Sequence, residues 1–181
     1  MITLSSDDAG AAIKQLKSSP GKVKTAFRRS INKALTVAQR TAARGVAKTY
    51  RITAPEFKKT LVINKAKGDK LEGSVRSRSH ALSALPFSRV KSNTVRPKGG
   101  PFVNVKRGAG GKIPPAFVVT KNGGSFLATR MPKGARYKFK KLYALSPTRM
   151  MANDEVMAQV DEKAMEALNQ GLNAEVDKEL K

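Results

Sequence analysis

The sequence predicts an α+β fold in a single domain, residues 1–181, with a long helix on either side of an antiparallel sheet. Apolar residues recur at spacings of three and four over residues 20–50 and at a spacing of four over 153–180. Such spacings are typical of helices with one buried face. Between them, within residues 69–146, the stretch 70–79 alternates with a period of two, and Asn-Gly and Gly/Pro-rich turns separate further short apolar runs, which is typical of short strands.

The N-terminal arm, residues 1–19, is expected to contain a short helix from Asp7 or Asp8 to about Leu16. Its first residues lack the basic and apolar regions of a signal peptide. Ser19 and Pro20 then mark the start of the first long helix, because proline fits the first helical position.

This helix belongs to a helical segment over 20–61, and its two faces differ in chemistry. The apolar face consists of Val23, Phe27, Ile31, Leu35, Ala38, Ala42, Val46 and Thr49. The opposite face carries Arg29, Lys33, Arg40, Arg44 and Lys48. A capping box, Thr53 with Glu56, predicts a following short helix to about Leu61 that packs Phe57 and Leu61.

The middle of the chain predicts four or five antiparallel strands within 69–146. The strands are expected over 70–79, 102–106, 116–120, 125–130 and 137–145. Asn122-Gly123 lies between two of them and predicts a tight hairpin, since both residues tolerate a positive φ. Two basic, glycine- and proline-rich stretches, 92–100 and 107–115, are expected to be long loops.

The last predicted helix, 153–180, is acidic and begins at a cap formed by Asn153 or Asp154. Its apolar stripe is Val156, Val160, Ala164, Leu168, Leu172 and Val176. Acids in its first turn suit the helix dipole. The sequence therefore ends in a segment whose charge is opposite to that of the preceding body.

That charge asymmetry is the strongest indication of function. The chain has a formal net charge of +23, and residues 9–153 hold 33 lysines and arginines against three acids. Eight acids lie between Asp154 and Glu179. A body this cationic repels itself, so we expect it to meet a polyanion or an acidic protein surface.

Catalytic chemistry has little support in the sequence. No cysteine is present, which excludes disulfides, thiolate catalysis and cysteine-ligated zinc. His80 is the single histidine, and Gly108–Gly111 lacks the spacing of a phosphate-binding loop. We expect no enzyme activity, no cofactor, no metal and no membrane span.

The bases instead form candidate contact sites for DNA or for an acidic partner. These residues are Arg29, Lys33, Arg40, Arg44, Lys48, Lys98, Lys106, Arg107 and Lys112. Aromatic residues are not interleaved with them, so stacking of single-stranded bases is disfavoured and any DNA contact is expected at the backbone. Simple solvation of the helix face is the alternative for the stripe.

The order of these features resembles the minor tail protein Z family of long-tailed bacteriophages. The similar segments are the run Ala26–Ala34, continuing to Ile52, the segment Lys112-Ile113-Pro114-Pro115-Ala116-Phe117-Val118, and Leu145–Thr148 before a final helix. Pro115 stands where the family commonly has glycine, and Ser146 lies in a stretch where Gly-Pro-Ser is more frequent. The resemblance covers about residues 20–175.

The resemblance implies a structural virion protein of the tail or neck, assembled in the host cytoplasm. It would be a tail-completion component forming a homo-oligomeric ring around the DNA channel, with a hexamer favoured. Its neighbours would be the tail terminator and the head–tail connector. The alternative function is a free, sequence-independent nucleic-acid-binding protein of the ribosomal or nucleoid-associated type.

A closed ring with head-to-tail contacts needs two dissimilar surfaces on each subunit. We expect the acidic final helix to dock on the cationic body of a neighbouring subunit or an adjoining ring. The candidate interface residues are Asp161, Glu162, Glu166, Val160, Leu168 and Leu172.

Overall fold

The structure, a computed structural model, describes residues 2–4, 20–77, 80–90, 98–131 and 138–179. The expected helix from Asp7 or Asp8 to Leu16 lies outside these residues. The elements in chain order are β1 (Ile2–Leu4), α1 (Pro20–Thr49), α2 (Ala54–Lys58), β2 (Leu61–Asn64), β3 (Gly73–Ser77), a 3₁₀ turn (Leu85–Phe87), β4 (Phe102–Val103), β5 (Gly111–Lys112), β6 (Ala116–Lys121), β7 (Gly124–Arg130), β8 (Phe139–Lys141), α3 (Pro147–Met151) and α4 (Asp154–Glu179). The α+β class is confirmed.

Helix α1 buries the face that its sequence predicts. Residues Phe27, Ile31, Leu35, Ala38, Ala42 and Val46 are buried, and Val23 and Thr49 at its ends are partly buried. Ala26, Ser30, Ala34 and Ala43 are buried as well. The buried arc is therefore wider than one stripe, because both α4 and the strands β2 and β3 pack on α1.

Helices α1 and α4 run antiparallel and pack against each other along most of their length. Two glycines allow this close approach: a Cβ on Gly45 would lie 3.2 Å from Val156 Cγ1, and one on Gly171 would lie 3.1 Å from Ser30 Cβ. The stripe from Val156 to Leu172 is buried on α1, as predicted. Asn153 Oδ1 accepts a hydrogen bond from the Val156 amide at 3.3 Å, which confirms Asn153 as the cap.

The capping box at α2 is present. The Thr53 hydroxyl accepts from the Glu56 amide, and the Glu56 carboxylate accepts from the Thr53 amide at 3.1 Å. The expected extent of this helix was wrong, since it ends at Lys58 and Leu61 begins β2 instead. The amide of Thr60 bonds to the Phe57 carbonyl, and this turn leads the chain into the strand.

The strands are antiparallel, but they form three small sheets rather than one sheet of four or five strands. The orders are β1-β3-β2, β4-β5 and β6-β7-β8. The strand expected over 102–106 is only Phe102–Val103. In the described parts of 70–79 and 137–145 the strands are Gly73–Ser77 and Phe139–Lys141, and residues 78, 79 and 137 lie outside the described residues. Turns at Gly100 and Gly108, with φ of 85° and 77°, and the prolines near them interrupt a continuous ladder.

The predicted hairpin joins β6 to β7 in six-residue register, from Ala116 opposite Thr129 to Lys121 opposite Gly124. Its two-residue turn has φ of 52° at Asn122 and 75° at Gly123. These values fit the left-handed turn that matches the twist of the two strands.

The core has two parts. The main cluster lies between α1, α4, α3, β2 and β3, and contains Ile31, Leu35, Val75, Met150 and Leu168. A smaller cluster lies under the β6-β7-β8 sheet and is centred on Ala84, Val118 and Leu127. Each sheet that packs on a core therefore has one covered face, and β6-β7-β8 turns its other face outward.

Candidate charged interfaces

The five bases of the α1 stripe are all exposed and share one side of the helix. Arg29, Lys33, Arg40, Arg44 and Lys48 fall within an arc of roughly 100° at 100° per residue. The arc is exposed because the opposite face of α1 is buried on the sheet and on α4. We call these five residues the α1 stripe.

One end of the α1 stripe meets α4. Arg29 Nη1 lies 3.4 Å from Glu175 Oε2. Hydrogen bonds from Lys178 and then from Arg29 lower the pKa of Glu175, and partial burial opposes them. Among the residues that the structure describes, no carboxylate lies within 4 Å of the charged atoms of the other four bases. Most of the α1 stripe is therefore left for an outside partner or for solvent.

A groove of about 360 Å³ runs between the second half of α1 and the first half of α4. It is lined by Thr41, Arg44, Gly45, Lys48, Gln159, Glu162 and Lys163. Three bases outnumber the single acid along it. The groove is open at the side, so it fits an extended anion such as a phosphate backbone better than an enclosed small molecule.

The four candidate bases of the loops have different environments. Lys98 and Lys112 are exposed, and Lys106 is exposed at a backbone bridge to Tyr50. Arg107 has a structural role, since its Nε donates to the Ala47 carbonyl at 3.1 Å and its amide donates to the Thr49 carbonyl at 2.9 Å. These bonds satisfy carbonyls at the C-terminus of α1. The positive charge of Arg107 also interacts favourably with the negative end of the helix dipole there.

The six candidate interface residues of α4 divide into two groups. Asp161, Glu162 and Glu166 are exposed. Val160, Leu168 and Leu172 are at most 1% exposed and pack inside the subunit. The apolar stripe of α4 is used for its own core, so a neighbouring subunit could reach only the polar side of this helix.

Glu166 has a partner within its own helix. Lys163 Nζ lies 2.7 Å from Glu166 Oε2, and this hydrogen bond lowers the pKa of Glu166 and raises the pKa of Lys163. Both side chains are about half exposed, so the pair contributes little to stability. Asp161 and Glu162 make no ion pair with the described residues.

Two features were not predicted from the sequence. Asn32 bonds twice to the backbone of Ala66: its Nδ2 donates to the carbonyl at 3.2 Å, and its Oδ1 accepts from the amide at 2.9 Å. The second feature is a cluster of aromatic and cationic side chains on β7 and β8. The alternation of Phe139, Lys141 and Tyr143 was a signal that could have found it.

No metal site was found in the described part of the chain, in which no three His, Cys, Asp or Glu residues come together. His80 is exposed. The described helices include none that is both long and apolar enough to cross a bilayer.

Exposed, uncompensated charge of one sign indicates a protein that associates with oppositely charged partners. The comparison with protein families gives the particular class: the model of prophage minor tail protein Z matches residues 8–181. The chain belongs to this family, and it is a structural component of a phage tail. No curated protein and no solved structure shows significant similarity to it.

Proposed function

We propose that this tail protein is a tail-completion subunit that forms a ring at the head-proximal end of the tail, around the path of the genome. The observation that carries the proposal is the division of charge between two exposed surfaces of one subunit. The α1 stripe and the loops are cationic, and the outer side of α4 is acidic. Dissimilar surfaces on one chain fit head-to-tail contacts, which form a ring when the rotation between subunits closes.

In this ring, the outer side of α4 contacts the cationic body of the next subunit. The partners above and below are the tail terminator and the head–tail connector. Family membership favours this tail role over a free ribosomal or nucleoid-associated protein, because the family match covers nearly the whole chain.

Position in the virion is tested by labelling. An antibody against this chain should mark the junction of head and tail in electron micrographs of purified virions. Label at the tail tip, or along the tail tube, would contradict the neck position and leave the tail assignment intact.

Ring formation is tested by reversing charge on α4. Asp161→Lys, Glu162→Lys and Glu166→Lys together should abolish the ring seen by native mass spectrometry. All three side chains are exposed, so the variant should keep its helical circular dichroism. The matched control carries Asp161→Asn, Glu162→Gln and Glu166→Gln, which removes charge without reversing it and should weaken assembly less. An unchanged ring in the lysine variant excludes this contact.

We also propose that part of the α1 stripe holds the DNA backbone without reading sequence. Arg44 and Lys48 line the open groove, and Arg40 lies one turn from Arg44 on the same side. Contacts of this kind release counterions, so binding weakens steeply as salt rises.

The DNA contact is tested by the slope of log affinity for a duplex against log salt. Arg40→Gln, Arg44→Gln and Lys48→Gln should together reduce that slope by about 2–3. The matched control removes three exposed lysines beside β2 and β3, Lys65, Lys67 and Lys70. Equal reductions by the two variants, or binding that does not change with salt, would contradict a specific role of the α1 stripe.

A further inference from the structure

We infer that the outer face of the β6-β7-β8 sheet is the docking surface for α4 of a second copy of this chain. The inference rests on the proposed ring for its geometry, and it names the two surfaces that meet there. The sheet provides exposed aromatic rings and a cation, and α4 provides carboxylates and an exposed methionine.

The pairing register defines which residues share the outer face. Val118 and Leu127 face each other on the covered side, so Val119 and Phe126 point the other way, as does Ala128, which is itself fully buried. Ala128 pairs with Lys141, and Arg130 pairs with Phe139, which places these residues on the outer face as well. We call this the aromatic face.

Rings and a cation on the aromatic face contact one another. The Phe126 and Phe139 centroids are 5.8 Å apart. Lys141 Nζ lies 5.3 Å from the Phe126 centroid and 5.5 Å from the Tyr143 centroid. Two rings therefore hold one ammonium group in place by cation–π attraction, while the lysine side chain stays exposed.

Exposed apolar side chains are concentrated on these two surfaces. The large apolar residues that are exposed in the described part of the chain are Val62, Met131, Phe139, Tyr143 and Met165. Phe139 is 39% exposed and Tyr143 is 58% exposed on the aromatic face, and Met131 lies just beyond it, at the end of β7 where the chain connects to β8. Met165 is on the outer side of α4.

The charges of the two surfaces are opposite. No Asp or Glu occurs between Gly73 and Asn153, so no acid from this stretch can neutralise Lys141 or Arg130. On α4, Glu162 precedes Met165 by three residues and lies on the same exposed side. Docking would place a methionine on aromatic rings and a carboxylate beside a preorganised ammonium group, and both contacts are favourable.

A second copy is the partner that this arrangement favours, because each subunit carries both halves of the contact. The aromatic face and the outer side of α4 are different surfaces, so their contact is heterologous and leaves one of each free on a dimer. Such a contact continues from subunit to subunit until the ring closes.

Charge exchange between two variants tests the inference. Lys141→Glu makes the two positions of the proposed contact, 141 and 162, both acidic, and Glu162→Lys makes these two positions both cationic. Each variant alone should lose self-association by roughly tenfold or more, because like charges then meet at the contact. An equimolar mixture should recover assembly, with strictly alternating subunits that native mass spectrometry resolves by mass. Wild-type assembly by either variant alone, or no recovery in the mixture, would overturn the inference.

A second measurement does not depend on charge. Since the chain has no cysteine, Tyr143→Cys and Met165→Cys variants can be mixed and oxidised without background disulfides. A disulfide between position 143 of one chain and position 165 of another is expected in peptide mass spectrometry. Crosslinks only between like positions, or a wild-type chain that remains monomeric at its highest soluble concentration, would overturn the inference.

Single-stranded nucleic acid is the competing occupant of a surface with rings and cations. Tight binding of an oligonucleotide that is lost in Phe139→Ala and Tyr143→Ala, with subunit assembly unchanged, would assign the aromatic face to nucleic acid and overturn the inference. Virion labelling remains a separate readout, since neck position can be correct while the subunits meet through other surfaces.

Discussion

Ser30 and Asn32 are polar residues of α1 with opposite environments. Ser30 is 2% exposed and lies against Gly171, and its hydroxyl has no hydrogen-bond partner among the residues that the structure describes. Asn32 uses both ends of its amide on the backbone of Ala66. An unpaired buried hydroxyl makes the folded state less stable. The Asn32 amide, in contrast, satisfies the backbone carbonyl and amide of Ala66, which lies beyond the end of β2.

We therefore expect Asn32→Ala to lower the free energy of unfolding by about 1–3 kcal/mol, because the amide and carbonyl of Ala66 lose their partners. Ser30→Ala, on the same helix, is the control and should leave stability unchanged or raise it. Urea unfolding monitored by circular dichroism measures both. Equal destabilisation by the two variants would contradict this account of the two side chains.

Gly73 allows β3 to pack directly on α1. A Cβ at this position would lie 2.4 Å from Leu35 Cδ1 and 3.0 Å from the Asn64 carbonyl oxygen. We expect Gly73→Ala to cost about 1–3 kcal/mol through overpacking, measured by urea unfolding. Gly124→Ala is the strand control, because its nearest outside atom is 3.8 Å away, and it should be close to neutral. A neutral Gly73→Ala would show that β3 can move off the helix.

At the scale of elements, the ends of α1, α2 and α4 are fixed by side chains rather than by helix propensity alone. Arg107 bonds to the last turn of α1, Thr53 and Glu56 cap α2, and Asn153 caps α4. These contacts determine where each helix begins or ends. The capping box at α2 makes one of these helix ends sensitive to pH.

Hydrogen bonds from the Thr53 side chain and then its amide hold the pKa of Glu56 below its ordinary value of 4.5. A carboxyl with a lowered pKa stabilises the fold above its unfolded pKa, and this contribution is lost as pH falls through the folded value. We expect Glu56→Gln, whose amide oxygen can still accept the cap bonds, to reduce the loss of thermal stability on acidification below about pH 4.5. Thr53→Ala should lower stability at neutral pH by about 1 kcal/mol. If the Glu56→Gln variant lost as much thermal stability as the wild type when the pH falls below about 4.5, a role of Glu56 ionisation would be contradicted.

At the scale of the whole molecule, the formal net charge of +23 opposes folding of the isolated subunit. The described residues contain few ion pairs, and the side chains of Lys24, Asp69, Arg29 and Lys178 in them are all more than half exposed. Salt therefore has more repulsion than attraction to screen.

We expect the melting temperature of the isolated protein to rise with sodium chloride concentration, by about 2–4 °C for each kcal/mol of repulsion that is relieved. The variant with Arg40→Gln, Arg44→Gln and Lys48→Gln should melt higher at low salt and respond less to added salt. Calorimetry at several salt concentrations measures both effects. A melting temperature that falls with salt would mean that the few ion pairs outweigh the repulsion.

Much of the fold followed from local patterns. The spacing from Phe27 to Val46 gave the buried face of α1, the Asn122-Gly123 pair gave the hairpin, and the Thr53–Glu56 pair gave a capping box, because each depends on residues close in sequence. The start of β2 at Leu61 was missed, since a short apolar run fits a helix end as well as a strand.

The sequence by itself determined the α+β class, the two long helices and the separation of charge, because periodicity and composition are local quantities. Only the tertiary structure decided that the strands divide into three sheets, that Val160, Leu168 and Leu172 are used inside the subunit, and that rings surround Lys141. These outcomes depend on which distant segments meet, and that is set by packing between surfaces that no single stretch of sequence specifies.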